Sequence, residues 1–166
     1  MATTDHQIIR QRLVEAGARV SLDLGLGRIV GQILVYLYLS REECSLDLIG
    51  EELELSKASV SIAARQLEKL GMIVRIWKKG DRKCYYRTAE NFAQALQQGI
   101  VEFVRQKLKT VETEIATANM LLQEVEPTGQ DDADLRFLNK RVDRMKLLTQ
   151  RVQKLIENPL IKLLAG

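Results

Sequence analysis

The side chains with the clearest chemistry lie between Ser56 and Lys83. Lys57, Ser59, Ser61, Ile62, Arg65 and Gln66 recur on the side of a predicted helix away from its apolar positions Val60, Ala63 and Leu67. Small Ser59 and Ser61 allow close approach to a major groove, and Ile62 offers apolar contact to a thymine methyl. Arg65 and Gln66 carry the hydrogen-bonding groups that match guanine and adenine edges. Ser56 as helix cap and Lys57 stand where open helix amides favour a phosphate. Lys78, Lys79, Arg82 and Lys83 then cluster about a two-residue turn built on Gly80 and Asp81. Such a basic tip fits a minor groove or a phosphate backbone, and its affinity depends on salt. Asp81 is expected to orient Arg82. Duplex DNA is the partner this pattern predicts.

The charge distribution agrees. The 166 residues carry a net charge of +3, which by itself decides little. Residues 56–90 hold 9 basic and 3 acidic side chains, against 5 and 9 in residues 1–55 and 11 and 10 in residues 91–166. The whole excess sits in one short segment, as a local footprint on a polyanion requires.

Other chemistry is poorly supplied. His6 is the sole histidine, and it stands in the first helical turn far from either cysteine, so neither a Cys–His dyad nor a metal cluster is expected. Gly25 and Gly27 lack the strand, spacing and lysine of a phosphate loop. No enzyme, cofactor or metal is predicted. Cys44 and Cys84 read as two free thiols, with redox sensing by Cys84 beside Arg82, Lys83 and Arg87 as the alternative. The longest apolar run, Ile29 to Leu39, falls short of the roughly 20 residues that cross a bilayer. The start MATTDHQIIRQR has no apolar signal core, so no membrane partner and a cytoplasmic location are expected.

These side chains need a frame. Thr4 with Gln7 offers a capping box for a first helix carrying Ile8, Ile9, Leu13, Val14 and Val20. Gly25 and Gly27 flank a break, and Arg28 to Leu39, apolar nearly all round, predicts a central second helix. Ser45 caps Leu46 to Glu54, and Ser56 caps the next helix, stopped at Gly71; Ile49, Leu53, Leu55, Val60, Ala63 and Leu67 would pack the two together. At Met72 the period changes to that of strands, Ile73 to Trp77 and Lys83 to Arg87. Helical spacing returns from Phe92 to Val125. Pro127 to Asp131 breaks it, and a last helix carries Leu135 to Ile156 until Pro159. A helix of about 50 Å cannot bury its stripe on so small a reading unit, so it needs its neighbour and a second chain. Val111, Ile115, Leu122, Leu135, Leu138, Val142, Met145 and Val152 are the candidate interface.

The stretch LELSKASVSIAARQLEKLGMIVRIWKKGDRKCYYR, Leu53 to Arg87, resembles the MarR family of bacterial winged-helix regulators. With Gly25-Leu26-Gly27-Arg28-Ile29-Val30-Gly31 it is similar to the branch holding regulators of choline and glycine betaine metabolism. The resemblance implies a mainly α fold with a small β-hairpin wing, a winged helix-turn-helix with N- and C-terminal dimerisation helices. Residues 1–24 would join the dimer, 25–90 bind DNA and 91–166 dimerise. It implies a homodimer on a pseudo-palindromic operator, more often a repressor. In the commoner family pattern a Leu-Thr pair follows the second wing strand; this chain departs from it with Tyr85-Tyr86-Arg87-Thr88-Ala89. By the same resemblance a small molecule can act as effector. Tyr36, Tyr38, Trp77, Tyr85 and Tyr86 could line its pocket, and an aromatic cage suits a choline- or betaine-like cation; core or hydrogen-bonded roles are the other reading of these rings. The alternative function is a helical protein-interaction or assembly module whose winged domain binds no specific DNA.

Overall fold

The computed structural model describes residues 2–125 and 132–158. The break expected at Pro127 to Asp131 and the stop at Pro159 lie outside them. In chain order the elements are α1 (Ala2–Asp23), α2 (Arg28–Tyr38), β1 (Cys44–Ser45), α3 (Leu46–Leu53), α4 (Lys57–Lys69), β2 (Ile73–Trp77), β3 (Cys84–Thr88), α5 (Phe92–Glu124) and α6 (Asp132–Glu157). Residues 1–99 and 100–166 form two compact units.

In the first unit α2 is central, as its apolar composition requires. It buries Val30, Gly31, Ile33, Tyr36 and Leu37 and packs on α1, α3, α4 and β3. Thr4 falls inside α1 rather than at its cap; side-chain signals place a helix end only to within a residue or two. The α1–α2 crossing is unusually close. A Cβ on Gly31 would stand 2.1 Å from the Gly17 carbonyl oxygen and 2.5 Å from the Ser21 Cβ. Between the helices, Gly25 and Gly27 take positive φ, and the Ser21 hydroxyl donates to the Gly27 carbonyl at 2.8 Å.

The helix-turn-helix core follows from the caps and the small residues. The Ser45 Oγ accepts the Leu48 amide, and the Ser56 Oγ accepts that of Ser59, each at 3.2 Å. Gly50 is small because the Leu55 carbonyl comes within 3.0 Å of where its Cβ would be. That contact lets the chain turn from α3 into α4. Ile49, Val60, Ala63 and Leu67 are buried between the helices, while Leu53 and Leu55 are half-buried at the edge.

The wing is a three-stranded antiparallel sheet of order β1-β3-β2. β2 and β3 pair from Ile73↔Thr88 to Trp77↔Cys84. The third strand was not anticipated: β1 is two residues long and pairs Cys44↔Tyr86 and Ser45↔Tyr85. Ladder pairing ends at Trp77 and resumes at Cys84, so Lys78 to Lys83 form a six-residue loop, not a two-residue tip. The Asp81 amide donates to the Lys78 carbonyl at 3.1 Å, which makes Lys79 and Gly80, at φ 85°, the central residues of the turn.

In the second unit α5 and α6 run side by side. A groove of about 580 Å³ is lined from both, by Glu112, Asn119 and Gln123 and by Asn139, Asp143 and Gln150 among others. Ile115 and Thr149 are buried; the Thr149 hydroxyl donates to the Met145 carbonyl at 2.9 Å, so a polar residue fits the seam by bonding its own helix.

Because the Gly31 backbone touches that of Gly17, Gly31→Ala should force α1 off α2 and lower the unfolding free energy by about 1–3 kcal/mol. Urea unfolding measures it, and an unchanged midpoint would show that the crossing yields at no cost.

Candidate nucleic-acid interface

Helix α4 shows its outer face through its own spacing. Ala58, Ile62, Arg65 and Lys69 lie at i, i+4, i+7 and i+11 and are all exposed, Ile62 by 61%. Ser56 and Lys57 are exposed at its start. Sequence reasoning left out Ala58 and Lys69, although the same periodicity that gave Ile62 and Arg65 points to them. Ser59 and Ser61 are half-buried. The Ser59 hydroxyl lies 2.8 Å from that of Ser56, and the Arg65 Nε donates to the Ser61 carbonyl at 3.3 Å.

Gln66 is turned inward. Its Nε2 donates to the Leu26 carbonyl at 3.3 Å, 40 residues back in the chain. The bond ties α4, where Gln66 was expected to meet a base edge, to the α1–α2 turn. The reason is geometric: Gln66 follows Arg65 by 100° around the helix, which brings it over the edge that faces the turn.

The wing loop is held by Asp81. Its Oδ1 accepts the Lys83 amide at 2.9 Å and its Oδ2 accepts the Tyr85 hydroxyl at 2.6 Å. The expected orientation of the Arg82 side chain by Asp81 is therefore replaced by a clamp on the next amide and a ring. The Tyr85 hydroxyl bond holds the Asp81 carboxyl below the usual carboxylate range, and the Asp81 carboxylate raises Tyr85 in turn. Trp77, Lys78, Lys79, Arg82 and Lys83 are all exposed.

The cations are not equivalent. Lys57 pairs with Asp47 at 2.8 Å, Lys83 with the same carboxylate at 3.6 Å, and Lys78 with Glu43 at 3.2 Å. Lys57, through a hydrogen bond and its charge, and then Lys83 hold Asp47 below its ordinary range. Glu43 is lowered by its own amide first and by Lys78 second. Among the described residues Lys79, Arg82, Arg65 and Lys69 form no ion pair.

The five aromatic residues do not assemble into a cage. Tyr36 is buried with the Arg10 guanidinium 4.6 Å from its ring centre, and burial pushes its phenol up to about 12. Tyr38 stacks on Phe92 at 4.4 Å, the one ring–ring contact among the described residues. Trp77 is 66% exposed. Tyr85 and Tyr86, adjacent on β3, face opposite sides of the sheet and already carry Lys78 at 4.2 Å and Arg75 at 5.6 Å. Among the described residues no group of three or more His, Cys, Asp or Glu side chains is placed to hold a metal ion. No described helix is long and apolar enough to cross a membrane. Cys44 is buried and Cys84 half-buried, both free.

Of the eight residues expected at a dimer interface, Ile115 is buried and Leu122, Leu135, Val142 and Val152 are half-buried in the second unit. Val111, Leu138 and Met145 are exposed, and so are Leu148 and Leu155, which extend the line on α6.

A sequence model of the MarR family matches residues 24–83, from the α1–α2 turn to the end of the wing loop. Those residues are similar to a MarR-family domain. The chain is also 33% identical over 73 residues to the HTH-type transcriptional repressor GbsR of Bacillus subtilis (strain 168). That match spans 43% of this chain and 40% of the relative. A crystal structure of a transcriptional regulator has the same fold, with a TM-score of 0.62 at 23% identity, over 89% of this chain and 95% of that one.

With its two bonds the Asp81 clamp should set the order of the wing loop. Asp81→Ala is expected to speed hydrogen exchange at the Lys83 amide severalfold while the β2–β3 ladder keeps its protection. Equal exchange at Lys83 would show that the loop is held by something else.

Proposed function

We propose that the chain is a sequence-specific DNA-binding transcriptional repressor that acts in the cytoplasm as a homodimer on a pseudo-palindromic operator. The observation that carries this is the exposed line Ala58, Ile62, Arg65 and Lys69 on α4, set beside a wing whose Lys79 and Arg82 pair with no acid among the described residues. Arg65 and Ile62 read base edges in the major groove, with the small Ala58, Ser59 and Ser61 allowing the approach. Ser56 and Lys57 place a phosphate at the helix start, and Lys78, Lys79, Arg82 and Lys83 take the backbone or minor groove beside it. Gln66 contributes by fixing the helix.

The dimer is supported by apolar surface without cover in either unit. Val111, Leu138, Met145, Leu148 and Leu155 are exposed on α5 and α6, and Ile9, Leu13 and Val20 on α1. A monomer rarely shows so much of it in stripes. Two copies also supply two reading helices, which is what a palindrome requires. A choline- or betaine-like effector is the ligand class that the family resemblance favours. Such a ligand would compete with Arg10, Lys78 or Arg75 for the tyrosine faces.

Duplex binding measured from about 50 to 200 mM salt tests the reading, with affinity expected to fall by a slope of about −0.9 per neutralised phosphate. Arg65→Ala should cost roughly 1–3 kcal/mol per half-site on a preferred sequence only, whereas Lys79→Ala weakens every duplex alike. Equal effects on specific and random duplexes would remove Arg65 from base reading, and no binding at the lowest salt would leave the protein-interaction module standing. The same titration with choline or glycine betaine added tests the effector, which an unchanged affinity would exclude.

A further inference from the structure

One carboxylate stands between the two DNA-facing elements. Asp47 lies in the first turn of α3, a helix that offers no reading face of its own, yet it reaches both neighbours. Its Oδ1 is 2.8 Å from the Nζ of Lys57, the first residue of α4, and its Oδ2 is 3.6 Å from the Nζ of Lys83, at the base of the wing loop. Its place is built rather than accidental. Ser45 caps α3 and pairs with Tyr85 of β3, so the start of α3 is fixed against the strand that follows Lys83. All three side chains are substantially exposed, so the contacts are open to competition from solution.

We infer that Asp47 is an internal competitor of DNA phosphate, holding Lys57 and Lys83 in the free protein and thereby limiting sequence-independent binding to duplexes. The inference rests on the DNA-binding reading above. A duplex laid across α4 and the wing must bring phosphates to the places where these two ammonium groups now meet a carboxylate. Each lysine exchanges one anion for another, and Asp47 is left without its partners beside a negatively charged backbone. The gain from Lys57 and Lys83 is therefore less than that from Lys79 and Arg82, which break no ion pair on binding. Loose binding, which is almost wholly electrostatic, loses the most by this; a specific complex adds base contacts that Asp47 does not touch. Asp47 thus acts as a specificity-determining residue without contacting a base.

Asp47→Asn removes the charge and leaves the shape. It should tighten binding to a random duplex by roughly threefold to thirtyfold, from two exposed ion pairs released. It should also steepen the salt slope by about one. Asp47→Glu, which keeps the charge, and Glu114→Gln, which removes an equal charge from an exposed site on α5, should each change affinity less than twofold. The wild type binding DNA with Asp47→Asn no different from Glu114→Gln would overturn the inference and leave the function intact. Binding by neither the wild type nor Asp47→Asn would overturn both. Binding by Asp47→Asn alone would support the inference.

Discussion

Ser45 serves two elements at once. Its backbone pairs with Tyr85 as the last residue of β1, and its hydroxyl receives the Leu48 amide as the cap of α3. Strand and helix therefore share a residue, with no linker between them to bend. Because α3 packs on α4 through Ile49, Val60 and Leu67, the orientation of the reading helix relative to the wing is set by this junction and the buried contacts behind it. A duplex-binding surface made of a helix and a loop has use for such a joint, since two elements that drift independently cannot hold a groove and its flanking phosphates in one register.

The junction also decides the electrostatics. Counted along the chain, the segment 56–90 is strongly basic, but folding brings Glu43 and Asp47 from the acidic segment before it onto three of its lysines. The cations then fall into two groups, those already balanced by a carboxylate and those, Lys79 and Arg82, that are not. The reading helix itself carries few charges. Its outer line is an alanine, an isoleucine, an arginine and a lysine, while the wing holds more of the positive charge.

How much of this could be read beforehand depended on whether the cause was local. Helix positions followed from spacing and from caps such as Ser45 and Ser56, because both act within a few residues. The core of the helix-turn-helix and the outward Ile62 and Arg65 were legible for the same reason. What failed to show were effects between distant residues. β1 is too short to carry a strand signal and exists because β3 offers an edge. Gln66 shares the helix face of Arg65 closely enough in sequence to be grouped with it, but the Leu26 carbonyl draws it inward. Asp81 stands next to Arg82 in sequence, but its carboxylate accepts instead from the Lys83 amide and the Tyr85 phenol. The five aromatic residues share a composition suited to a cage but are divided among α2, β2 and β3, and three of their faces hold the protein's own cations.

The central claim is that two copies of α4, each with its wing, read one duplex together. Selection of preferred sequences by the full chain from a random duplex pool tests it most directly. The account predicts an enriched motif of two inverted half-sites with centres about 34 Å, one helical turn, apart. Enrichment of a single half-site without its inverted mate, or no enrichment at all, would contradict it.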